Sequence, residues 1–311
     1  MKLSVQTQGA VNRLGVDAGM AAIRRAGFDA VDLNLCCGMQ YEGIKNGAKT
    51  DFYDDDKIYP YVDEIAAAAK KYGLAFGQAH APAPLYIHGA DEGNARMQSY
   101  ARKCIEVCGY IGCPALVIHP LCNSSARFPK WTKQQQFLAN IEFYSSMIPL
   151  LKKHNVICCL ENMWISDWKT GKIYTEACSN VNEVIQYVDE LNAMAGEKCF
   201  GFCLDVGHLL LLGEDPCYWM EMLGDRIVAL HTHDNDGLHD DHTLPYIGVC
   251  NWDRFILGLR KIGYSGNLNF ETATFNDMFP KELIPSALMM LGSTAKYLYG
   301  RITAETDSAD Q

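Results

Sequence analysis

Six side chains able to hold a divalent cation stand at the ends of six successive apolar runs. His80 closes LAFGQAH, His119 falls in ALVIHP, Glu161 in VICCLEN, Asp205 ends FGFCLD, His231 ends RIVALH and Glu271 ends LNFE. Carboxylate oxygen and imidazole nitrogen together suit Mn2+, Zn2+, Co2+ or Fe2+. Several such groups around one opening would repel each other or stay poorly solvated without a cation. Further candidates lie close by in sequence: His208 in LDVGH, His233 in LHTHDNDG, and Asp240 with His242 in HDDHTLP. Asp205 and His208 are three apart at a strand-to-helix turn, so that one can ligate while the other holds substrate or a second ion. His231 and His233 are two apart and point the same way on a strand. His231 ends its run and ranks first as the ligand, with His233 supporting it.

These groups converge only if the runs are neighbouring parallel strands. The runs are too short and too rich in Val, Ile, Leu, Phe and Cys for amphipathic helices, and most precede a Gly, Pro or Asn. Strands buried on both faces read this way. KLSVQT and FDAVDLNL supply two more strands at the amino terminus. Apolar residues at three and four spacing predict helices from Gly15 to Ala26 and over 60–72, 91–111, 133–154, 181–195, 216–223, 252–262 and 280–299. Eight strand–helix units give a single-domain α/β fold, a (β/α)8 TIM barrel over residues 1–300, followed by a polar tail at 301–311. A doubly wound sheet is disfavoured because QTQGAVNRLG, after the first strand, lacks a GxGxxG turn. Long connections at 36–59, 120–132 and 162–180 would rise over the functional face. Trp164, Trp168 and Phe128 are candidate apolar walls there, and Arg127 and Lys130 candidate anion contacts. Asp54, Asp55 and Asp56 read as solvated helix-start polarity.

A net charge of −10 argues against a polyanionic partner, whose affinity comes from counterions released by clustered Lys and Arg. No apolar run approaches the roughly 18 residues of a membrane span, and MKLSVQTQG has no signal-peptide core, so the expectation is a cytoplasmic protein. The 13 cysteines include no zinc-ribbon CxxC pair. Cys36, Cys37, Cys158, Cys159 and Cys203 read as reduced thiols acting as small hydrophobes.

The motifs HAP (80–82), IHP (118–120), LEN (160–162), LDVGH (204–208), HTHDNDG (231–237), DDH (240–242) and FET (270–272) resemble, in this order, the xylose isomerase-like TIM barrel superfamily. That group includes sugar-phosphate isomerases and epimerases, ketose 3-epimerases, inosose dehydratases and the endonuclease IV branch. Resemblance to the ketose epimerases implies a metal held by Glu161, Asp205, His231 and Glu271. Glu161 and Glu271 are then also the catalytic acid/base pair, working through a metal-stabilised enediolate of a small-molecule sugar, sugar phosphate or cyclitol. Such an enzyme of carbohydrate metabolism needs no organic cofactor, and a homo-oligomer is left open. The chain departs from the epimerases after the His231 strand: where they carry a substrate-binding Arg, it has Asp236, Gly237 and Leu238. Resemblance to endonuclease IV implies the alternative, a phosphodiesterase with a di- or trinuclear zinc site that adds His80, His119, His208, Asp240 and His242 as ligands.

Overall fold

The computed structural model describes residues 1–36, 49–54, 57–123 and 131–304. Cys37, Asp55, Asp56, Arg127, Phe128, Lys130 and the tail from 305 lie outside the described residues. The strands are β1 (Lys2–Gln6), β2 (Ala30–Asn34), β3 (Ala75–His80), β4 (Ala115–Val117), β5 (Ile157–Glu161), β6 (Trp164–Ser166), β7 (Ile173–Thr175), β8 (Phe200–Asp205), β9 (Ile227–His231) and β10 (Asn267–Phe270). Eight of them form one parallel sheet in the order β10-β1-β2-β3-β4-β5-β8-β9, while β6 and β7 pair separately. The sheet closes at the β9–β10 seam, where the Thr232 N–H donates to the Asn269 carbonyl at 3.0 Å and the Glu271 N–H to the Thr232 carbonyl at 3.3 Å. The fold is the TIM barrel expected from the alternation of strands and helices.

Successive side chains on a strand point to opposite faces, so each strand sorts its residues between the outer helix layer and the barrel interior. On β8 the odd positions face inward: Cys203 belongs to a small interior cluster with Ala115, Val117, Cys159 and Ala229. Phe200, Phe202 and Leu204 instead join the large core between sheet and helices. Each large apolar side chain buried there, such as Phe202 or Trp219, stabilises the fold by roughly 1.5–3 kcal/mol. Two residues beyond the last interior apolar side chain of each of these strands stands a polar one. Val117 leads to His119, Cys159 to Glu161, Cys203 to Asp205 and Ala229 to His231. Alternation and register thus raise one ring of ligand-type side chains at the carboxyl ends of the strands.

Several elements differ from the sequence expectation. The stretch 133–154 is two helices, Lys133–Ser145 and Ile148–His154, because Pro149 in the first turn of the second supplies no N–H and cannot continue the first. A helix at Gln8–Leu14 precedes Val16–Ala26, and another, Val206–Leu212, starts directly after β8. The final helix runs Ile284–Thr303, starting after a 3-10 turn at Lys281–Leu283. The 162–180 connection contains the β6–β7 hairpin. A fourth long connection, 232–251 between β9 and the helix Trp252–Lys261, proves as important as the three expected.

The final helix lies against Val16–Ala26 through Gly292, where a Cβ would sit 2.0 Å from the Ala26 carbonyl oxygen. Backbone cannot yield as a flexible side chain does, so Gly292→Ala forces the helices apart. It is expected to destabilise the chain by about 1–3 kcal/mol in urea unfolding, with the slope unchanged.

Candidate active site

His80, Glu161, Asp205 and His231 are the last residues of β3, β5, β8 and β9, and Glu271 directly follows β10. One ligand atom each from Glu161, Asp205, His231 and Glu271 lie within 4.8 Å of one another. His231 is the hub: its Nδ1 is 2.9 Å from Glu161 Oε1, 3.2 Å from Glu271 Oε2 and 3.7 Å from Asp205 Oδ2. Three carboxylates therefore face one ring nitrogen in a nearly dry setting. Glu161 Oε2 is buried and accepts no hydrogen bond, although His119 Nε2 stands 3.0 Å away. An orphaned buried carboxylate oxygen among other carboxylates fits a divalent cation, and mixed O/N donors suit Mn2+, Zn2+, Co2+ or Fe2+.

The remaining sequence candidates surround this core. His80 Nε2 is 3.1 Å from His119 Nε2, and both approach Glu161 Oε2, His80 at 3.6 Å. On the other side Asp240 Oδ2 lies 3.3 Å from His208 Nε2 and 3.2 Å from His242 Nε2. Both sets, His80/His119/Glu161 and His208/Asp240/His242, are compact enough to hold an ion. Backbone carbonyls set the tautomers. His80 Nδ1 donates to Ala81 O at 2.7 Å, His208 Nδ1 to Asn162 O at 2.7 Å and His242 Nδ1 to Glu271 O at 3.0 Å. Each ring then presents Nε2 to the opening. His233 sits deeper: its Nε2 is 3.1 Å from both Asp205 oxygens, and its ring stacks on His242 at 4.0 Å. Asp205 also caps the helix Val206–Leu212, accepting the His208 N–H at 2.7 Å.

The charges are strongly coupled. Burial pushes the Glu161 carboxyl up, but the imidazoles of His231 and His119 outweigh it and hold the group well below the usual carboxylate range. Burial alone would lower His208, yet Asp205 and Asp240 bring it well above the ordinary imidazole value. His242, lowered by burial and raised by Asp240 and Glu271, ends at about 9. The carboxylates thus pull positive charge into the cluster, which a divalent ion would supply in place of imidazole protons.

The connection 232–251 is held by Asp234. Its carboxylate accepts the N–H groups of Asn235, Cys250 and Tyr246 and the Trp252 indole N–H, each at 3.0 Å. Its backbone pairs with Thr243 in both directions, at 3.1 and 2.9 Å. This knot fixes the loop that carries Asp240 and His242.

Above the cluster opens a cavity of about 470 Å³, lined by Glu161, Glu271, His80, His119, His208, Asp240 and His242 together with Gln6, Gln8, Asn34, Cys36, Met163, Trp164 and Thr274. Trp164 supplies the wall expected of it. Trp168, on the turn between β6 and β7, is 79% exposed and does not reach the cavity. Cys36 is half-buried at the cavity, a correction to its reading as core, whereas Cys158, Cys159 and Cys203 are fully buried. Every described cysteine is free.

The sequence matches the model of the xylose isomerase-like TIM barrel family over residues 20–293. The chain belongs to that family. Among solved structures, this xylose isomerase-like barrel superposes on a D-tagatose 3-epimerase-like protein with a TM-score of 0.67 at 19% identity, covering 97% of this chain and 100% of the other. For the 3-keto-D-glucoside 4-epimerase YcjR of E. coli the values are 0.69 and 14%, over 94% and 99%. For the D-allulose 3-epimerase of Methylomonas sp., in complex with D-allulose, they are 0.67 and 14%, over 97% of both chains. At these identities the likeness is one of fold. In sequence, 94 residues are 42% identical to the protein y4fM of Sinorhizobium fredii, and 98 residues are 30% identical to MJ1311 of Methanocaldococcus jannaschii. The matched stretches span 30% and 31% of those relatives, respectively.

Sequence reasoning missed the β1 and β2 side of the xylose isomerase-like barrel. Gln6 donates to Glu271 Oε1, Asn34 donates to Gln8 at 2.7 Å, and all four line the cavity. Asp32 reaches the far side of the His231 ring. The signal was there: KLSVQT and FDAVDLNL also carry polar residues next to their ends, Gln6 and Asn34, but amides and a mid-run Asp lack the ligand character that marked the other strands.

Gly207 sits where a Cβ would lie 1.9 Å from His233 Cε1. Gly207→Ala must therefore displace His233 from Asp205. The expected outcome is metal affinity about 10–100-fold weaker, measured by titration against a chromophoric chelator, with an unchanged far-ultraviolet circular dichroism spectrum.

Proposed function

We propose that this chain is a divalent-metal-dependent isomerase or epimerase of a sugar, sugar phosphate or cyclitol, with Glu161 and Glu271 as its acid/base pair. The observation that carries the reading is a division within the core donors. Asp205 and His231 are 0% exposed and sealed beneath the floor, whereas Glu161 and Glu271 also line the cavity. Only the latter two can meet an ion and a substrate carbon together. The sugar epimerases among its structural neighbours support the general class of reaction.

Glu161, Asp205, His231 and Glu271 would hold the ion, which when bound polarises a substrate carbonyl and acidifies the adjacent C–H. Glu161 and Glu271 stand on different strands on either side of His231, positioned to remove a proton from carbon and return one. Return to the opposite face of the same carbon gives epimerisation, and return to the neighbouring carbon gives an aldose–ketose shift. Gln6 holds Glu271 Oε1, leaving Oε2 turned toward His231. His80, His119 and His208 offer ring nitrogens to substrate oxygens, and Trp164 closes one wall.

A second reading, an endonuclease IV-like phosphodiesterase with a di- or trinuclear zinc site, draws on the overlapping groups His80/His119/Glu161, His208/Asp240/His242 and His233/His242/Glu271. The net charge of −10 opposes a nucleic-acid partner and ranks this reading second.

Incubation with ketoses, keto-glycosides and inososes in D2O should wash deuterium into the carbon next to the carbonyl, read by NMR. Glu161→Gln and Glu271→Gln should each lower turnover by about 100-fold or more. One ion per chain by elemental analysis fits the isomerase. Two or three ions with cleavage of an abasic duplex, and no deuterium incorporation, would replace it with the phosphodiesterase.

A further inference from the structure

His231 is oriented unlike the other imidazoles at the barrel mouth. His80, His208 and His242 each donate from Nδ1 to a backbone carbonyl and present Nε2. His231 turns Nδ1 toward Glu161, Glu271 and Asp205, and points Nε2 down into the barrel at Asp32 Oδ2, 3.4 Å away. An Nδ1 ligand must carry its proton on Nε2. That nitrogen completes no hydrogen bond in this structure, and the carboxylate it faces, at ion-pair distance, is Asp32.

Asp32 is itself built into place. It is 0% exposed on β2, and its Oδ2 accepts from Gln78 Nε2 of β3 at 3.1 Å and Asn269 Nδ2 of β10 at 2.9 Å. Both amides also donate to the Leu230 carbonyl, next to His231, at 3.3 and 3.1 Å. With each NH2 group committed to two acceptors, neither amide can flip. Asp32 Oδ1 accepts no hydrogen bond at all. A fully buried carboxylate with an orphaned oxygen is costly, and β2 could carry an apolar residue there if packing were the only demand.

We infer that Asp32 is a positioning residue which, clamped by Gln78 and Asn269, fixes the Nε2–H tautomer and ring orientation of His231 and so makes Nδ1 the metal ligand. The inference rests on the metalloenzyme reading above but concerns a residue outside the ligand set. Asp32 does not line the cavity, so it acts through His231 and never on substrate.

Zn2+ serves as the probe, with the full-length chain. Asp32→Asn should weaken Zn2+ about 10-fold and Asp32→Ala up to about 100-fold in competition with a chromophoric chelator. The metal-free Asp32→Asn protein should melt no lower than wild type, since a buried charge has been removed. A residue with a merely structural role would give the reverse pattern, a lower melting temperature and an unchanged dissociation constant, and that result overturns the inference. Wild-type protein provides a check independent of variant folding. Long-range 1H–15N spectra of the Zn2+-loaded chain should place the His231 proton on Nε2, and a proton on Nδ1 sinks the idea. A wild-type chain that takes up no Zn2+ removes the metalloenzyme reading and this inference together. Tight Zn2+ binding that is indifferent to Asp32→Asn removes the inference alone.

Discussion

Mutual repulsion among Glu161, Asp205 and Glu271, carboxylates gathered within 4.8 Å of a shared imidazole at one end of a closed barrel, is the constraint that the rest of the site answers. In bulk water such charges would drift apart or be screened. Here each is fixed by the end of its own strand, and the low surrounding dielectric strengthens the repulsion. Relief comes in two forms. The ring of histidines supplies partial positive charge, and the amides of Gln6, Gln78 and Asn269 donate hydrogen bonds to carboxylate oxygens. Oxygens with no hydrogen bond remain even so, Glu161 Oε2 and Asp32 Oδ1 among them, and they mark where added positive charge is most favourable.

The barrel can carry this arrangement because its two inner layers divide the work. Beneath β4, β5, β8 and β9 the interior is filled by Ala115, Val117, Cys159, Cys203 and Ala229, small side chains that pack without polar demands. On the opposite side, at β2, β3 and β10, the corresponding layer is polar: Asp32, Gln78 and Asn269. One half of the barrel therefore supports the site residues by packing and the other by hydrogen bonding. Closure matters to both, since the Thr232 seam joins β9 to β10 and so ties His231 to Glu271.

The connection 232–251 is tied down at Asp234. Asp234 gathers four N–H donors around one buried carboxylate, which explains how a loop rich in Asp, His and Gly can hold Asp240 and His242 at fixed distances from His208. Sequence reading valued that segment for its Asp and His content and gave Asp234 no role, because a structural hub and a ligand look alike when only residue types are visible.

The sequence by itself determined the strands and the residues at their ends. Apolar runs of strand length are a local property of the chain, and so is the polar residue that stops each one. A chain with eight such runs separated by helices has few ways to bury them other than as a barrel. From that much, His80, His119, Glu161, Asp205, His231 and Glu271 could be named as one ring, and the resemblance to the ketose epimerases singled out Glu161, Asp205, His231 and Glu271 within it. Tertiary structure decided what depends on register, ring orientation and contacts between distant strands. It set which imidazole nitrogen faces inward, which of His231 and His233 meets the other carboxylates, and that Asp32, Gln78 and Asn269 stand behind them. It also left Trp168 in solvent and brought Cys36 to the cavity. Those choices follow from side-chain direction at positions 28 to 237 residues apart, and no spacing along a single chain encodes them.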